Sequence, residues 1–461
     1  PLLCPMGNQL KRSKVEFAGK RFLILGGGVT GSAVAKVLEQ LGAFIKIADQ
    51  NPLPDFAKHP IDDLKNLNYD YAVVSPGWKP DHPLILALQS AKVPLTSEID
   101  IAWHFRNLHH PEQRWIAITG TNGKTSTTEL TAEMLKAAGI NAVACGNVGT
   151  TVIESVWSEQ KYQVLVLEIS SFQLHWLSDP VFESGAILNI ADDHTDWHGS
   201  FEAYTNAKLK LLGHTKLAII NGQDQHLVES VNGISNWKGR KIYFGLDTPT
   251  YGNLGLVEEL LVDRAFTEDP TQAGAICELK DIQPTVPHAV ANTLAAAGLA
   301  RSLGADLDSI GRAVRAFKPG RHRLELVLEK DGIRWINDSK ATNPHAAQAS
   351  LFSNTKSIWI AGGLAKGAHF EELIESSHSR IKAAILIGAD RDLIAKELVK
   401  HNIDCFPVDG EKIMEKVVKK AKDLADPGDT VLLAPACASM DQFKNYADRG
   451  DQFADAVRKF L

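Results

Sequence analysis

Residues 115–130 read WIAITGTNGKTSTTEL, in which an apolar strand runs into a glycine turn and then into a helical pattern. The turn ends in Gly123-Lys124-Thr125, the ending of a phosphate-binding loop. In such a loop the lysine reaches the β- and γ-phosphates, the threonine hydroxyl faces Mg²⁺, and successive N–H groups surround the phosphates. Ile118 stands where the full eight-residue motif has its first glycine. The flanking strand and helix still favour a nucleoside triphosphate site over a chance match.

A second glycine turn lies nearer the start of the chain, in residues 21–38, RFLILGGGVTGSAVAKVL. Gly26-x-Gly28-x-x-Gly31 follows a strand and opens a helix, and Asp49 closes the next strand 18 residues after the last glycine. This arrangement is typical of a nucleotide diphosphate site, with the acid available to a ribose hydroxyl or a base edge. The alternative is a packing turn in a dinucleotide-type fold that binds nothing.

The composition restricts the class of protein. A length of 461 residues predicts about three domains, and 44% hydrophobic with 23% charged residues is ordinary for a globular protein. The formal charge of −6 without a basic tract argues against a nucleic-acid partner. No apolar run has the length of a membrane span or a signal peptide, and five scattered cysteines indicate reduced thiols, so we expect a cytosolic protein. We interpret Cys437 as small buried packing rather than as a nucleophile.

Strand and helix patterns alternate in three segments, which predicts an α/β protein whose three domains each have a mainly parallel sheet flanked by helices. We expect a Rossmann-like domain at 1–110, a central P-loop ATPase domain at 111–319 and a Rossmann-like C-terminal domain at 320–461. The polar stretch HFRNLHHPEQR at 104–114 is interpreted as a linker.

Candidate metal ligands follow two of the central strands. Glu168 ends the apolar run VLVLE, and a carboxylate there suits Mg²⁺, which prefers oxygen ligands. Taken alone, such an acid is more often a helix cap or a solvated charge, and His194 in ILNIADDHTDWH is likewise more often structural. Lys208 shares the apolar stripe of a helix with Tyr204 and Leu211. Either its ammonium reaches water along its stem, or burial frees the amine to take up carbon dioxide as a carbamate.

Together these motifs resemble those of the Mur ligase family of peptidoglycan synthesis, nearly from end to end. The resemblance rests on TGTNGKTSTT, LEISSFQL, ILNIADDHTDWH, YTNAKLKL, GRHRLELV, IRWINDSKATNP, GGLAKG and PACASMDQFKNYADRGDQF. NDSKATN and PACASMDQFKNY are similar to the branch that adds D-glutamate. The resemblance implies an ATP-dependent ligase joining D-glutamate to UDP-N-acetylmuramoyl-L-alanine through an acyl phosphate. It also implies two Mg²⁺ ions, a monomer, and a place in the cytoplasm.

The resemblance further implies which residues form the site. Residues of the phosphate loop and three later positions would bind ATP: Gly120, Thr121, Asn122, Gly123, Lys124, Thr125, Ser126, Asn292, Arg323 and Asp338. The UDP substrate would be contacted by Val29, Thr30, Asp49, Asn147 and His194. D-Glutamate would be bound by Thr342, Lys366, Ser439, Met440 and Tyr446. The catalytic group would comprise Lys124, His194, Lys208 and Lys340. The Mg²⁺ ions would be held by Thr125, Glu168, His194 and a carbamylated Lys208.

Two positions depart from the family pattern. Ala289 stands where many members have asparagine, which puts an adenine contact in doubt, and Tyr446 stands where phenylalanine is expected. Because the implied site residues fall in separate segments, we expect the third domain to close onto the second about a hinge near KPGRHR.

Three other functions compete with this interpretation. A dinucleotide-dependent dehydrogenase would use the first glycine loop but leaves Lys124 and Glu168 unexplained. A nucleotide-controlled switch would hydrolyse ATP without making a bond. A sister ligase would add a different amino acid by the same chemistry.

Overall fold

The computed structural model describes residues 16–49, 58–59, 67–269 and 271–461, so that Cys4 lies outside the described residues. The chain splits into two compact units. Unit 1 comprises Pro1–Ile190, Glu202–Ile282 and Ala289–Phe317, and unit 2 comprises Ala191–Phe201, Gln283–His288 and Lys318–Leu461.

The first sheet of unit 1 is parallel throughout, with strand order β3-β2-β1-β4-β5. Its strands are β1 (Arg21–Leu25), β2 (Phe44–Ala48), β3 (Lys58–His59), β4 (Tyr71–Val74) and β5 (Leu95–Thr96). The helices of this part are α1 (Val29–Gln40), α2 (Pro83–Ser90) and α3 (Glu98–His109). Short apolar strands of this kind are buried by the crossover helices of a parallel sheet.

Helix α3 corrects the predicted linker at 104–114, because the helix continues to His109. A capping box begins the helix, in which the Ser97 and Asp100 side chains each accept the backbone N–H of the other residue. Ile101 and Phe105, spaced by four residues, are buried on one face. Phe105 stands among polar residues, so the apolar stripe was not recognised in the sequence. This stripe continues the helix into the stretch that we interpreted as a linker.

The second sheet of unit 1 has nine strands in the order β7-β8-β6-β9-β10-β11-β12-β13-β14. They are β6 (Arg114–Thr119), β7 (Ala142–Gly146), β8 (Val164–Glu168), β9 (Ser184–Ile187), β10 (Leu217–Asn221), β11 (Arg240–Phe244), β12 (Leu254–Val257), β13 (Leu260–Asp263) and β14 (Gly274–Glu278). Its helices are α4 (Lys124–Ala137), α5 (Val152–Trp157), α6 (Ser171–Trp176), α8 (Phe201–Gly213), α9 (Gln225–Asn232), α10 (Pro287–Ser302) and α11 (Leu307–Ala316).

The strands from β7 to β12 are parallel, whereas β12, β13 and β14 pair antiparallel at one edge. This edge is absent from our sequence interpretation. The turn between β12 and β13 contains Glu258 with φ +55°. This backbone conformation is rare for glutamate, so the sequence does not predict a turn there. The edge lies away from β6 and β8, which carry the phosphate loop and Glu168.

Unit 2 contains a six-stranded sheet in the order β15-β16-β20-β17-β18-β19, with only the β15–β16 pair antiparallel. The strands are β15 (Glu325–Lys330), β16 (Ile333–Asn337), β17 (Ser357–Gly362), β18 (Ile381–Ile387), β19 (Cys405–Pro407) and β20 (Thr430–Leu433). The helices are α7 (Thr195–His198), α12 (Pro344–Phe352), α13 (Glu371–Ser377), α14 (Arg391–Lys400), α15 (Ile413–Leu424) and α16 (Tyr446–Phe460). Strand β17 sends Trp359 into one apolar cluster and Ile358 and Ile360 into another, so both faces are covered.

Three mainly parallel, helix-flanked sheets confirm the predicted fold class. The domain boundaries at 110/111 and 319/320 stay a prediction. In the described part of the chain, no helix combines the length and apolar character needed to span a membrane.

Candidate active site

The phosphate loop joins β6 to α4, and two glycines give it its shape. Gly120 has φ +157° and Gly123 has φ +85°, backbone conformations that L side chains rarely adopt. A Cβ added at Gly123 would lie 2.5 Å from Oδ1 of Asn292, so the α10 side chain predicted to bind ATP lies directly against the loop. Helix α4 begins without a side-chain cap, which leaves the positive end of its dipole facing the loop.

Asn189, just beyond β9, fixes the tip of the loop through three hydrogen bonds. Its Oδ1 accepts from Asn122 N at 2.8 Å, and its Nδ2 donates to Asn122 O at 3.0 Å. Its backbone oxygen accepts from Thr121 N at 3.0 Å. The N–H groups of Thr121 and Asn122 are therefore engaged by Asn189, and we expect phosphate-facing N–H groups from Gly123 onward.

Two lysine ammonium groups converge on one carbonyl oxygen of the loop. Lys124 Nζ donates to the oxygens of Gly120 and Thr121 at 2.8 Å each, and Lys208 Nζ donates to Gly120 O at 2.8 Å. Lys208 is only 1% exposed, and its Nζ lies 4.6 Å from the centroid of the Tyr204 ring. The alternative in which this ammonium reaches water is therefore wrong. Two adjacent cations make the loop attractive to a polyphosphate.

Glu168 ends β8 beside the loop, and one of its carboxylate oxygens has no hydrogen-bond partner. The side chain is 2% exposed, and Oε1 accepts from Asn147 Nδ2 at 2.7 Å, while Oε2 is buried and unsatisfied. A buried anionic oxygen without a partner is costly, and a cation would satisfy it. No group of three or more His, Cys, Asp or Glu among the described residues could hold a metal by itself. A Mg²⁺ ion on nucleotide phosphates needs only one or two protein carboxylates, so Glu168 fits it.

Asn147, predicted to contact the UDP substrate, is joined to Glu168 twice. Besides the side-chain bond, Asn147 N donates to Glu168 O at 2.9 Å. Gly146, with φ +99°, makes this approach possible, because a Cβ there would lie 2.6 Å from Glu168 O. The ends of β7 and β8 thus bring a predicted substrate ligand and a predicted metal ligand together.

The first glycine loop of unit 1 is closed by Asp49, whose predicted contact with the UDP substrate stays a prediction. Asp49 Oδ2 accepts from Gly27 N at 2.6 Å, so the carboxylate braces the turn itself. A Cβ at Gly31 would lie 1.9 Å from Gly26 O, which only glycine permits. Val29, the first residue of α1, is 80% exposed beside this turn, and α1 has no side-chain cap.

In unit 2, Asp338 follows β16 and is held from two sides. Its Oδ1 accepts from Leu324 N at 3.2 Å, and Oδ2 accepts from the Ser350 hydroxyl. Burial raises the pKa of Asp338 to about 6, although these hydrogen bonds and the charge of Arg323 act in the opposite direction. The two residues that were predicted to bind ATP from this unit therefore interact with each other.

Three loops of unit 2 approach at the ends of β16, β17 and β20, and they carry four of the five residues predicted to bind D-glutamate. We call residues 339–342, 363–367 and 437–440 the amino-acid loops. Leu364 and Ala438 exchange backbone hydrogen bonds of 2.9 and 3.0 Å, and Ala436 N donates to Ala341 O at 2.9 Å. The predicted residues Lys366 and Met440 are exposed, the latter to 59%, while Ser439 is 4% exposed.

Glycines permit this crowding of backbones. A Cβ at Gly362 would lie 1.9 Å from Ile387 O, and one at Gly363 would lie 2.1 Å from Ala438 O. One at Gly388 would lie 2.4 Å from Gly363 Cα. All three have positive φ, so a side chain would be strained there even without these neighbours.

Three other predicted residues of unit 2 lie around the same loops or near the short helix α7. Lys340 Nζ lies 4.0 Å from the centroid of the Tyr446 ring, at the start of α16. Thr342 N donates to Lys340 O at 2.9 Å. His194 precedes α7 with φ +54°, and its Nε2 is 3.7 Å from Asp193 Oδ2. Its joint metal role with Lys208, which belongs to unit 1, stays a prediction.

Cys437 is confirmed as a packing residue. Its side chain is 1% exposed, and burial raises the pKa of its thiol to about 12, which keeps the reactive thiolate scarce at neutral pH.

Two family models match the chain. The Mur ligase middle domain matches residues 118–300, and the Mur ligase glutamate ligase domain matches residues 322–437. UDP-N-acetylmuramoylalanine–D-glutamate ligase of Streptomyces coelicolor is 44% identical, over 96% of this chain and 99% of its own. The chain belongs to the Mur ligase family. The enzyme of the same name from Streptomyces avermitilis is 42% identical, over 96% of this chain and 99% of its own.

The fold agrees with that of solved Mur ligases. The MurF ligase of Thermotoga maritima, in a crystal structure in complex with ADP, superimposes with a TM-score of 0.58 at 16% identity. The match covers 96% of this chain and 95% of that one. At this identity the likeness establishes the three-domain α/β fold of the Mur ligases.

Sequence reasoning missed two residues that organise the site. Asn189 lies in the motif ILNIADDHTDWH. A polar residue directly after the apolar strand β9, which pairs with β6, is a signal for a side chain that contacts the phosphate loop. Arg449 could also have been identified from the sequence, because it lies four residues before Phe453 and eight before Val457 on the buried stripe of α16. A charged residue on an apolar stripe predicts a buried, hydrogen-bonded group.

Proposed function

We propose that this chain is an ATP-dependent ligase that joins D-glutamate to UDP-N-acetylmuramoyl-L-alanine in the cytoplasmic synthesis of peptidoglycan precursors. The observation that carries the proposal is its similarity, over nearly the full length, to ligases named for this reaction. The phosphate loop, with Lys124 in place, and the buried carboxylate of Glu168 supply the chemistry that the reaction needs. A dehydrogenase would leave both of them without a use.

The first step activates a carboxylate, because a carboxylate does not condense with an amine in water. The γ-phosphoryl group of ATP passes to an oxygen of the alanine carboxylate, which gives an acyl phosphate and ADP. Lys124 and the N-terminus of α4 stabilise the negative charge on the transferring group. Asn292 lies against the loop on the nucleotide side, and Arg323 with Asp338 completes the proposed nucleotide contacts.

Mg²⁺ at Glu168 and the Thr125 hydroxyl would supply charge neutralisation at the nucleotide phosphates. The unsatisfied Oε2 of Glu168 supports this assignment. For a second ion we propose His194 and Lys208, the latter as a carbamate that replaces a cation with oxygen ligands. The nearly complete burial of Lys208 supports a reactive amine at this position.

The second step makes the amide bond. The amine of D-glutamate attacks the acyl carbon and loses a proton, and inorganic phosphate leaves with the electrons of the broken C–O bond. We propose that Thr342, Lys366, Ser439, Met440 and Tyr446 bind the amino acid, and that the catalytic Lys340 lies among them. Two lysines among them suit a substrate that carries two carboxylates. The UDP portion is assigned to Val29, Thr30 and Asp49, and the muramoyl-alanine end to Asn147 and His194.

The test is phosphate release from ATP with UDP-N-acetylmuramoyl-L-alanine, with and without D-glutamate, beside L-glutamate and L-lysine. Lys124→Ala serves as the inactive control, because it removes the loop cation while leaving the rest of the chain unchanged. Release that requires the UDP substrate and D-glutamate together is expected. Release with a different amino acid would assign the chain to a sister activity, and release without any amino acid would favour the nucleotide-controlled switch.

A further inference from the structure

Arg449 is fully buried in α16 and contacts two of the amino-acid loops at once. Its side chain is 0% exposed. Nε donates to Ser339 Oγ at 3.0 Å and Nη2 donates to Ser339 O at 2.9 Å, while Nη1 donates to Cys437 O at 3.1 Å. One guanidinium therefore joins the loop after β16 to the loop after β20.

This cation forms no ion pair with any carboxylate among the residues that the structure describes. Burial lowers the pKa of Arg449 to about 10, against the smaller opposing effects of Cys437 and of the Asp441 charge, so the group is still charged at neutral pH. A buried charge with only uncharged acceptors is an expensive way to hold two loops together if stability is the sole result. The fixed fork of a guanidinium is, however, well suited to setting the spacing of three acceptors.

The three acceptors stand next to residues assigned to the amino acid. Ser339 directly precedes Lys340, and Cys437 lies two residues before Ser439. The Ser339 hydroxyl also donates to Tyr446 O at 2.7 Å, which joins the same loop to the first turn of α16. The network thus contacts the main chain close to Lys340 and Ser439, and the main chain of Tyr446 itself.

We propose that Arg449 is a positioning residue for the amino-acid site, which sets the separation of the loops carrying Lys340 and Ser439. It acts through Ser339 and Cys437 and does not touch the substrate. The inference rests on the proposed function, because it takes these loops as the binding site of the amino acid that is added.

The nucleotide contacts should be largely independent of this network. Asp338 directly precedes Ser339, but Asp338 N donates to Leu433 O at 2.8 Å within the sheet, and its carboxylate is held by Ser350 and Leu324. Loss of the Arg449 contacts should therefore alter binding of the amino acid and leave binding of ATP nearly unchanged. If Arg449 had a purely structural role, its loss would change the binding of both D-glutamate and ATP, or of neither.

The experiment compares KM for D-glutamate with KM for ATP in Arg449→Lys and in the wild type. Lysine keeps the charge, but its single nitrogen cannot satisfy three separated acceptors. We expect KM for D-glutamate to rise about tenfold, the effect of losing one hydrogen bond of a charged group, with KM for ATP within about twofold. Arg458→Lys is the matched control, because Arg458 lies on the same helix with a side chain 53% exposed and an ion pair to Asp455.

An unchanged KM for D-glutamate in Arg449→Lys, or an equal rise in both KM values, would overturn the inference. If Arg449→Lys does not fold, Ser339→Ala decides, since it removes one acceptor and preserves the cation. A rise of about threefold in KM for D-glutamate alone would then support the inference, and no rise would overturn it. Failure of the proposed function is recognised separately, as absence of amino-acid-dependent phosphate release in the wild type.

Discussion

Glu98→Gln tests a buried carboxylate that joins helices α3 and α5 of unit 1. Glu98 is 4% exposed at the start of α3, and its Oε1 accepts from Ile153 N at 2.6 Å, at the start of α5. Burial raises the pKa of Glu98 from 4.5 to about 7; the hydrogen bonds from Ile153 and Val152 lower it, and the charges of Glu154 and Asp100 raise it further. A glutamine retains an oxygen that can accept from Ile153 N, and it carries no charge.

The direction in which the free energy of unfolding changes with pH follows from proton binding. Between pH 4.5 and 7 the folded protein holds a proton on Glu98 that the unfolded chain has released, so the free energy of unfolding falls as pH rises. A folded-state pKa of about 7 against the ordinary 4.5 corresponds to about 3 kcal/mol in full. About 2–3 kcal/mol of this loss develops between pH 5 and pH 8. Relative to the wild type, Glu98→Gln should gain that amount over the same interval.

The assay is urea unfolding of the wild type and Glu98→Gln at pH 5, 6, 7 and 8. The difference between the two proteins isolates this carboxyl group, because all other titrating groups are shared. Glu39→Gln, on the exposed face of α1, is the matched control for the loss of one carboxylate at the surface. Parallel stability curves for Glu98→Gln and the wild type would refute the reasoning, since they would mean that Glu98 titrates alike in the folded and unfolded chain.

Three further substitutions give distinct results. Gly31→Ala should destabilise the protein by about 1–3 kcal/mol in thermal unfolding, because its Cβ would lie 1.9 Å from Gly26 O, whereas Gly28→Ala, with nothing within 4 Å, should unfold like the wild type. Equal melting temperatures for the two variants would contradict the close approach. Lys208→Ala should lose most phosphate release and regain part of it with added short carboxylates, and full activity in the variant would remove the carbamate from the mechanism. Cys437→Ala should keep its turnover number, because the thiol is buried with a pKa raised to about 12, and loss of turnover would reopen a nucleophilic role.

Much of the fold was predictable because strand and helix signals agreed with glycine motifs at the strand ends. The phosphate loop, Asp49 after β2 and Glu168 after β8 were placed by this local logic alone. Helix α3 was not, because Phe105 stood among polar letters, and the β12–β14 edge was not, because Glu258 adopts a conformation usual for glycine. These outcomes depend on tertiary packing, which a sequence window does not contain.

The sequence indicated which residues belong to the candidate site, but not which atoms they contact. The apolar stripe placed Lys208 inside α8, yet only the structure shows its ammonium on Gly120 O. The pairing of Asn189 with Asn122, and of Arg449 with Ser339 and Cys437, joins residues far apart in the chain. Residue type and spacing cannot specify such pairs, because the direction of each donor is set by the packing of whole elements.

The glycines at the ends of β17 and β18 have a consequence for engineering the choice of amino acid. Gly362, Gly363 and Gly388 touch neighbouring backbones so closely that any side chain would displace a loop. A mutant library that randomised them would consist mostly of misfolded proteins. Diversity belongs instead at Met440, which is 59% exposed, so that a new side chain there meets solvent.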